Sequence, residues 1–242
     1  MEDLISVSEA ARELGVDPSR VRVLAAHGGL DAVKLGNIWA INRSALIERK
    51  AIAPGRGRPI KAKNAWAILF LAAGLKPDWV SAQAISRLKD LLRMRGLKGL
   101  APRMNQRAEL HYFRAHPGEI SYILDDPDLI RSGVSAAGEF GLDLVAGREA
   151  DGYIPQAKLS HFRKKHALAE VSRGEANVVL RVVPDRIWRE VPEHVPLPAV
   201  ALDLLADPDP RSAGAGREAL RRVEADLPRA LEQVRGAAPA AP

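Results

Sequence analysis

Residues 49–63 read Arg-Lys-Ala-Ile-Ala-Pro-Gly-Arg-Gly-Arg-Pro-Ile-Lys-Ala-Lys, with six cations, no acid and four Gly or Pro. Such a stretch carries too little apolar surface to offset the entropy lost on ordering it, so no core can run through it. The chain of 242 residues must fold on either side of it. The expected division is a first domain over 1–50, a basic Gly/Pro linker over 51–63 and a larger domain over 64–235. The low-complexity end, 236–242, reads Gly-Ala-Ala-Pro-Ala-Ala-Pro and predicts a disordered tail.

The position of the charge is more informative than its total. A net +6 over the whole chain resolves into −2 over residues 1–48, +11 over 49–110 and −3 over 111–242. A basic block of this kind marks a polyanion partner, nucleic acid before a membrane surface. The chain has no cysteine, which excludes a disulfide framework, a thiolate zinc site and a cysteine nucleophile. Its N-terminus carries Glu2 and Asp3 where a signal peptide needs cations, and the apolar run 65–75 is well short of the roughly 20 residues a bilayer span requires. A cytoplasmic protein without a membrane partner is expected.

The first 50 residues have the punctuation of short helices and a hairpin. Ser8 is placed to cap a helix bearing Ala10, Ala11 and Leu14, and Gly15 ends it. Asp17 caps a second helix with Pro18 in its first position and Val21, Leu24 and Ala25 turned inward. Two helices joined by so short a turn form a helix-turn-helix. The runs 32–35 and 38–41 flank Gly36-Asn37, a two-residue hairpin signal; a third helix is predicted from an Asn42 cap through Leu46 and Ile47. This order resembles the excisionase and MerR-like winged-helix family, in which the second helix enters the major groove of double-stranded DNA. The resemblance implies that Ser19, Arg20 and Arg22, with Val23 and His27 beside them, face bases and phosphates, and that Lys34 and Asn37 lie in the wing. Arg56-Gly57-Arg58-Pro59 matches the core of an AT-hook, which lays Arg along a narrow minor groove. Lys61 and Lys63 extend that basic track.

Beyond the linker, Trp66, Ile68, Leu69, Leu71 and Leu75 form an apolar helix. The segment 77–95 reads as an amphipathic helix that buries Trp79, Val80, Ile85, Leu88, Leu91 and Leu92. Its outer side is expected to carry Arg87, Lys89, Arg93 and Arg95, a candidate partner surface. Strands over 110–114, at Tyr153-Ile154 and over 177–183, with helices over 117–124, 134–140, 198–205 and 216–223, complete a fold that is mainly α with an α+β C-terminal domain.

Enzyme chemistry finds little support. His111/His116 and His161/His166 are five apart, which does not align a pair on one helical face. Asp125, Asp126 and Asp128 surround Pro127 as a turn and cap would, and no phosphate-binding loop or nucleophile motif is present. No catalytic residue, metal or cofactor is assigned.

Ser132-Gly-Val-Ser-Ala-Ala-Gly-Glu-Phe-Gly-Leu142, followed by Tyr153-Ile154 and Asn177-Val-Val-Leu-Arg-Val-Val183, resembles the C-terminal domain of AbiEi-type antitoxins of type IV toxin–antitoxin systems, over roughly residues 64–225. That resemblance implies a repressor of its own operon that binds operator inverted repeats and whose second domain counteracts a nucleotidyltransferase toxin encoded nearby. A homodimer on DNA, with the second domain assisting dimerisation, is expected. The alternatives are a stand-alone transcriptional regulator or an excisionase-like recombination directionality factor, and a nuclease using Asp125, Asp126, Asp128 and neighbouring histidines.

Overall fold

The computed structural model describes residues 4–26, 30, 32–36, 38–43, 59–144, 147–189 and 191–236. The chain is mixed α and β, with two separate sheets. It divides into two compact units: the described residues up to 43 fall in the first together with 206–208, and the other described residues from 59 onward fall in the second.

In the first unit, strand β1 (Leu4–Ser6) leads directly into helix α1 (Val7–Leu14). The cap of α1 is Ser6, not Ser8. Ser6 and Glu9 form a reciprocal capping box in which Ser6 Oγ accepts from the Glu9 N–H at 3.2 Å and Glu9 Oε2 accepts from the Ser6 N–H at 3.0 Å. Ser8 lies inside the first turn, and the signal for the true cap was the Ser-x-x-Glu spacing itself. Gly15, at φ 65°, ends α1 in the left-handed region that glycine adopts at least cost. Helix α2 (Pro18–Ala26) starts where Asp17 Oδ1 accepts the Ser19 N–H at 2.8 Å. Strands β2 (Ala32–Leu35) and β3 (Ile38–Asn42) pair antiparallel as the expected hairpin. β1, which the sequence pattern did not announce, adds to the other edge of β3, giving the order β1-β3-β2. Ile5, Val7, Ala10, Ala11, Val21, Ala25, Leu30 and Ile41 form the core. The third helix predicted from Asn42 falls mostly outside the described residues.

The second unit begins earlier than expected. Ile60 is buried and its N–H donates to the Arg103 carbonyl at 2.8 Å, and α3 runs over Ala62–Ala72. Residues 59–63, read as the end of the linker, are therefore built into this unit. Helix α4 (Ala82–Leu100) is capped by Ser81, so its first residue lies five beyond the expected Pro77, and it breaks at Gly96 (φ 61°, ψ 172°). There the Lys98 N–H donates to Glu224 Oε1 at 2.7 Å, which gives the second half of the helix its own cap.

A five-stranded sheet follows, made of β4 (Glu109–Arg114), β5 (Ile130–Arg131), β6 (Ala150–Pro155), β7 (Ala169–Glu170) and β8 (Val178–Val183), in the order β5-β6-β8-β4-β7. All pairings are antiparallel except β6 with β8. Helices α5 (Ile120–Leu124), α6 (Gly133–Ala136), α7 (Leu159–Lys165) and α8 (Asp185–Trp188) lie between or after the strands. Alternation along the strands sends Ala150, Ile154, Val178, Leu180 and Val182 into one core with Phe113, Ile123 and Phe162. Tyr153 and Val183 face the larger helical core around Trp66. Helices α9 (Leu197–Leu205) and α10 (Pro210–Gly236) close the unit. α10 is far longer than the expected 216–223; it runs through Pro228 because Leu227, Ala230, Leu231 and Val234 continue its buried stripe.

Candidate nucleic-acid interface and a buried charge network

The solvent side of α2 has a definite geometry. Val21 and Ala25 are buried, while Ser19, Arg20, Arg22, Val23 and Ala26 are exposed. At 3.6 residues per turn, Ser19, Val23 and Ala26 form the ridge opposite the core, and Arg20 and Arg22 stand about 200° apart on its two flanks. A helix seated in a major groove by that ridge would send one guanidinium toward each wall. The two arginines therefore do not form one base-reading pair, and the centre of the face belongs to Ser19 and Val23.

Lys34 is exposed on β2, its Nζ 5.8 Å from the centre of the Trp39 ring. His27, Asn37, Arg56, Gly57 and Arg58 lie outside the described residues. Pro59 is half-buried, and Lys61 and Lys63 are exposed at the start of α3. On α4, Arg87, Arg93 and Arg95 are exposed, with Arg93 bonded to Asp90 at 2.7 Å. Lys89 does not belong to that surface: it is buried, and its Nζ donates to the Leu231 carbonyl at 3.0 Å, tying α4 to α10. Helical spacing put Lys89 on the margin of the stripe, where the long α10, not foreseen, covers it.

No protein-family model, curated protein or solved structure matches this chain.

The chemistry that sequence reading missed lies inside the second unit. Asp203 on α9 is fully buried among groups from four other segments. Its Oδ1 receives Arg107 Nη2 and, at 3.1 Å, the Tyr153 hydroxyl, while its Oδ2 accepts the Ser132 hydroxyl at 2.5 Å. Arg181 Nε lies 2.9 Å from the same Oδ1 but off the hydrogen-bond axis, so it contributes charge without a directed bond. Arg181 Nη1 bonds instead to Asp151, also buried. Burial pushes the Asp203 carboxyl up, but Arg181, Arg107 and the Ser132 hydroxyl outweigh it and hold it below the usual carboxylate range. Burial and the Asp203 charge push the Tyr153 phenol up. Two guanidinium groups and two carboxylates balance in charge, and both oxygens of Asp203 accept hydrogen bonds, so the centre ties its five segments together.

The acidic triplet is likewise committed. Asp125 bonds to Arg131 at 2.8 Å, and Asp128 pairs with Lys158 at 3.4 Å. Asp126 is buried and accepts the Asp128 N–H at 2.9 Å, Lys165 Nζ at 2.5 Å and His166 Nε2 at 2.9 Å. Among the described residues no group of three or more His, Cys, Asp or Glu side chains is placed to hold a metal ion.

Proposed function

We propose that the protein is a DNA-binding antitoxin, its first unit a winged helix that recognises an operator and its second unit the part that counteracts a nucleotidyltransferase toxin. The observation that carries the DNA reading is the exposed ridge of α2, flanked by Arg20 and Arg22 and followed by an antiparallel hairpin. With −2 over residues 1–48, the first unit has little general attraction for phosphate, and the cations of 49–63 supply it. The antitoxin reading is supported by the resemblance of 132–142, 153–154 and 177–183 to AbiEi-type antitoxins; Ser132, Tyr153 and Arg181 from those three segments meet at Asp203.

Binding to the DNA upstream of its own gene tests the first half. Arg20→Ala and Arg22→Ala should each cost about 1–3 kcal/mol on the preferred sequence if their side chain reads a base, and less, uniformly across sequences, if it grips phosphate. Unchanged affinity in both variants removes α2 from the groove. For the second half, residues 59–236 should rescue growth when an adjacent nucleotidyltransferase is expressed. Failure of the full chain to rescue, despite operator binding, leaves a stand-alone regulator.

A further inference from the structure

DNA contact through α2 leaves one surface of the first unit unused. Residues opposite one another in an antiparallel sheet share a face. The register therefore groups Leu4, Ser6, Val33, Ile38, Ala40 and Asn42 on the side away from buried Ile5 and Ile41. None of the six is charged, and Leu4, Val33 and Ile38 are 39%, 45% and 70% exposed. A solvated face of an antiparallel sheet ordinarily alternates to polar. Here the sheet's one charged residue, Lys34, lies on the opposite face, paired with Trp39.

We infer that this open sheet face seats a second copy of the chain, face to face about a two-fold axis. In an isologous contact each patch meets itself, so a charged patch repels its own copy. The solvent side of α2, with Arg20 and Arg22, is unsuited to that; the uncharged sheet face is self-complementary and offers a charged partner nothing to pair with. Its size sets the strength: the exposed fractions of Leu4, Val33 and Ile38 leave an open apolar area of roughly 300 Å², against roughly 800 Å² per partner in a stable complex. The contact is therefore transient in free solution. It gains when DNA holds two copies side by side, a consequence that rests on the operator reading, whereas the contact itself does not.

Because the full chain has no cysteine, Val33→Cys carries a single thiol. At high protein concentration and without DNA, a short bismaleimide should link Val33→Cys chains into dimers well above the yield from Ser19→Cys, whose thiol would sit on exposed α2. In sedimentation velocity the wild-type chain should show a rising average coefficient with concentration, and Val33→Glu, with its helical circular dichroism intact, should not. If Val33→Glu fails to fold, Leu4→Glu on the opposite edge strand supplies the same readout. Equal cross-linking of Val33→Cys and Ser19→Cys, or undiminished self-association of the folded Glu variant, overturns the inference. Cross-linking by a chain that binds no operator would keep the contact and dismiss the DNA reading. If Val33→Glu weakens binding to a single half-site while solution association is unchanged, the face touches DNA and not a second copy.

Discussion

Asp203 shows how a single side chain can hold several segments in place. Changing it to Asn preserves its shape but leaves the Arg107 and Arg181 guanidinium groups sharing one fewer anion in a dry site. The expected loss is about 3–5 kcal/mol, read as a lowered urea midpoint of the second unit, the usual cost of breaking a buried pair from one side. A loss below 1 kcal/mol would mean that water reaches the site. Asp126 makes a different prediction, in pH. Burial pushes its carboxyl up from the ordinary 3.8, but Lys165, the Asp128 N–H and His166 outweigh burial and hold it at about 2. A carboxyl depressed by folding stabilises the fold fully above its unfolded value and loses that contribution as pH falls through the folded one. The stability advantage of wild type over Asp126→Asn should thus be constant above about pH 4 and shrink toward pH 2; an advantage independent of pH over that window contradicts the assignment. Asp126 stood out in the sequence only as part of the acidic triplet around Pro127, and Asp203 did not stand out at all. Arg107, Asp151, Arg181 and Asp203 are scattered through the sequence, and the one available signal was a lone charge within an apolar run, as in Leu180-Arg181-Val182 and Leu202-Asp203-Leu204.

Among the elements, the second unit depends on how closely its helices approach. A Cβ added at Gly216 on α10 would lie 2.5 Å from the Leu205 N and 2.8 Å from the Leu204 carbonyl carbon, both backbone atoms of α9. Helix propensity alone favours Ala over Gly by about 1 kcal/mol. Here the clash decides the sign: Gly216→Ala should destabilise by about 1–3 kcal/mol. Gly214, one half-turn earlier on the same helix, meets nothing nearer than Arg217 Nη2 at 3.8 Å, so Gly214→Ala should stabilise by about 0.5–1 kcal/mol. Thermal unfolding of the two variants checks the pair, and a gain from both would show that α9 and α10 can separate without cost. The elements themselves were largely readable, because hairpin, turn and capping signals are local: α2, β2, β3 and β8 follow their sequence patterns closely, whereas α3 ends at Ala72 and leaves Leu75, expected on its apolar face, beyond it and exposed. Length was not. The expected helix spanned only 216–223, and tertiary packing of Leu227, Ala230 and Leu231 carries α10 past Pro228.

For the whole molecule, the division into two units separates two kinds of stability and two kinds of test. If the cations of 49–63 touch phosphate, Arg56→Ala with Arg58→Ala should flatten the slope of log K against log salt by roughly 0.9 per lost contact, leaving the unfolding of the second unit unchanged. An unaltered slope removes those residues from the interface. The charges inside the second unit obey a stricter rule than those outside it. Arg107, Asp151, Arg181 and Asp203 balance only as a set, so a mutation at one is tolerable chiefly when another has already changed. Their history should therefore be epistatic: descendants of this chain that lack an acid at 203 should also lack the guanidinium of Arg107 or Arg181, and intermediates carrying only one of the two changes should be scarce.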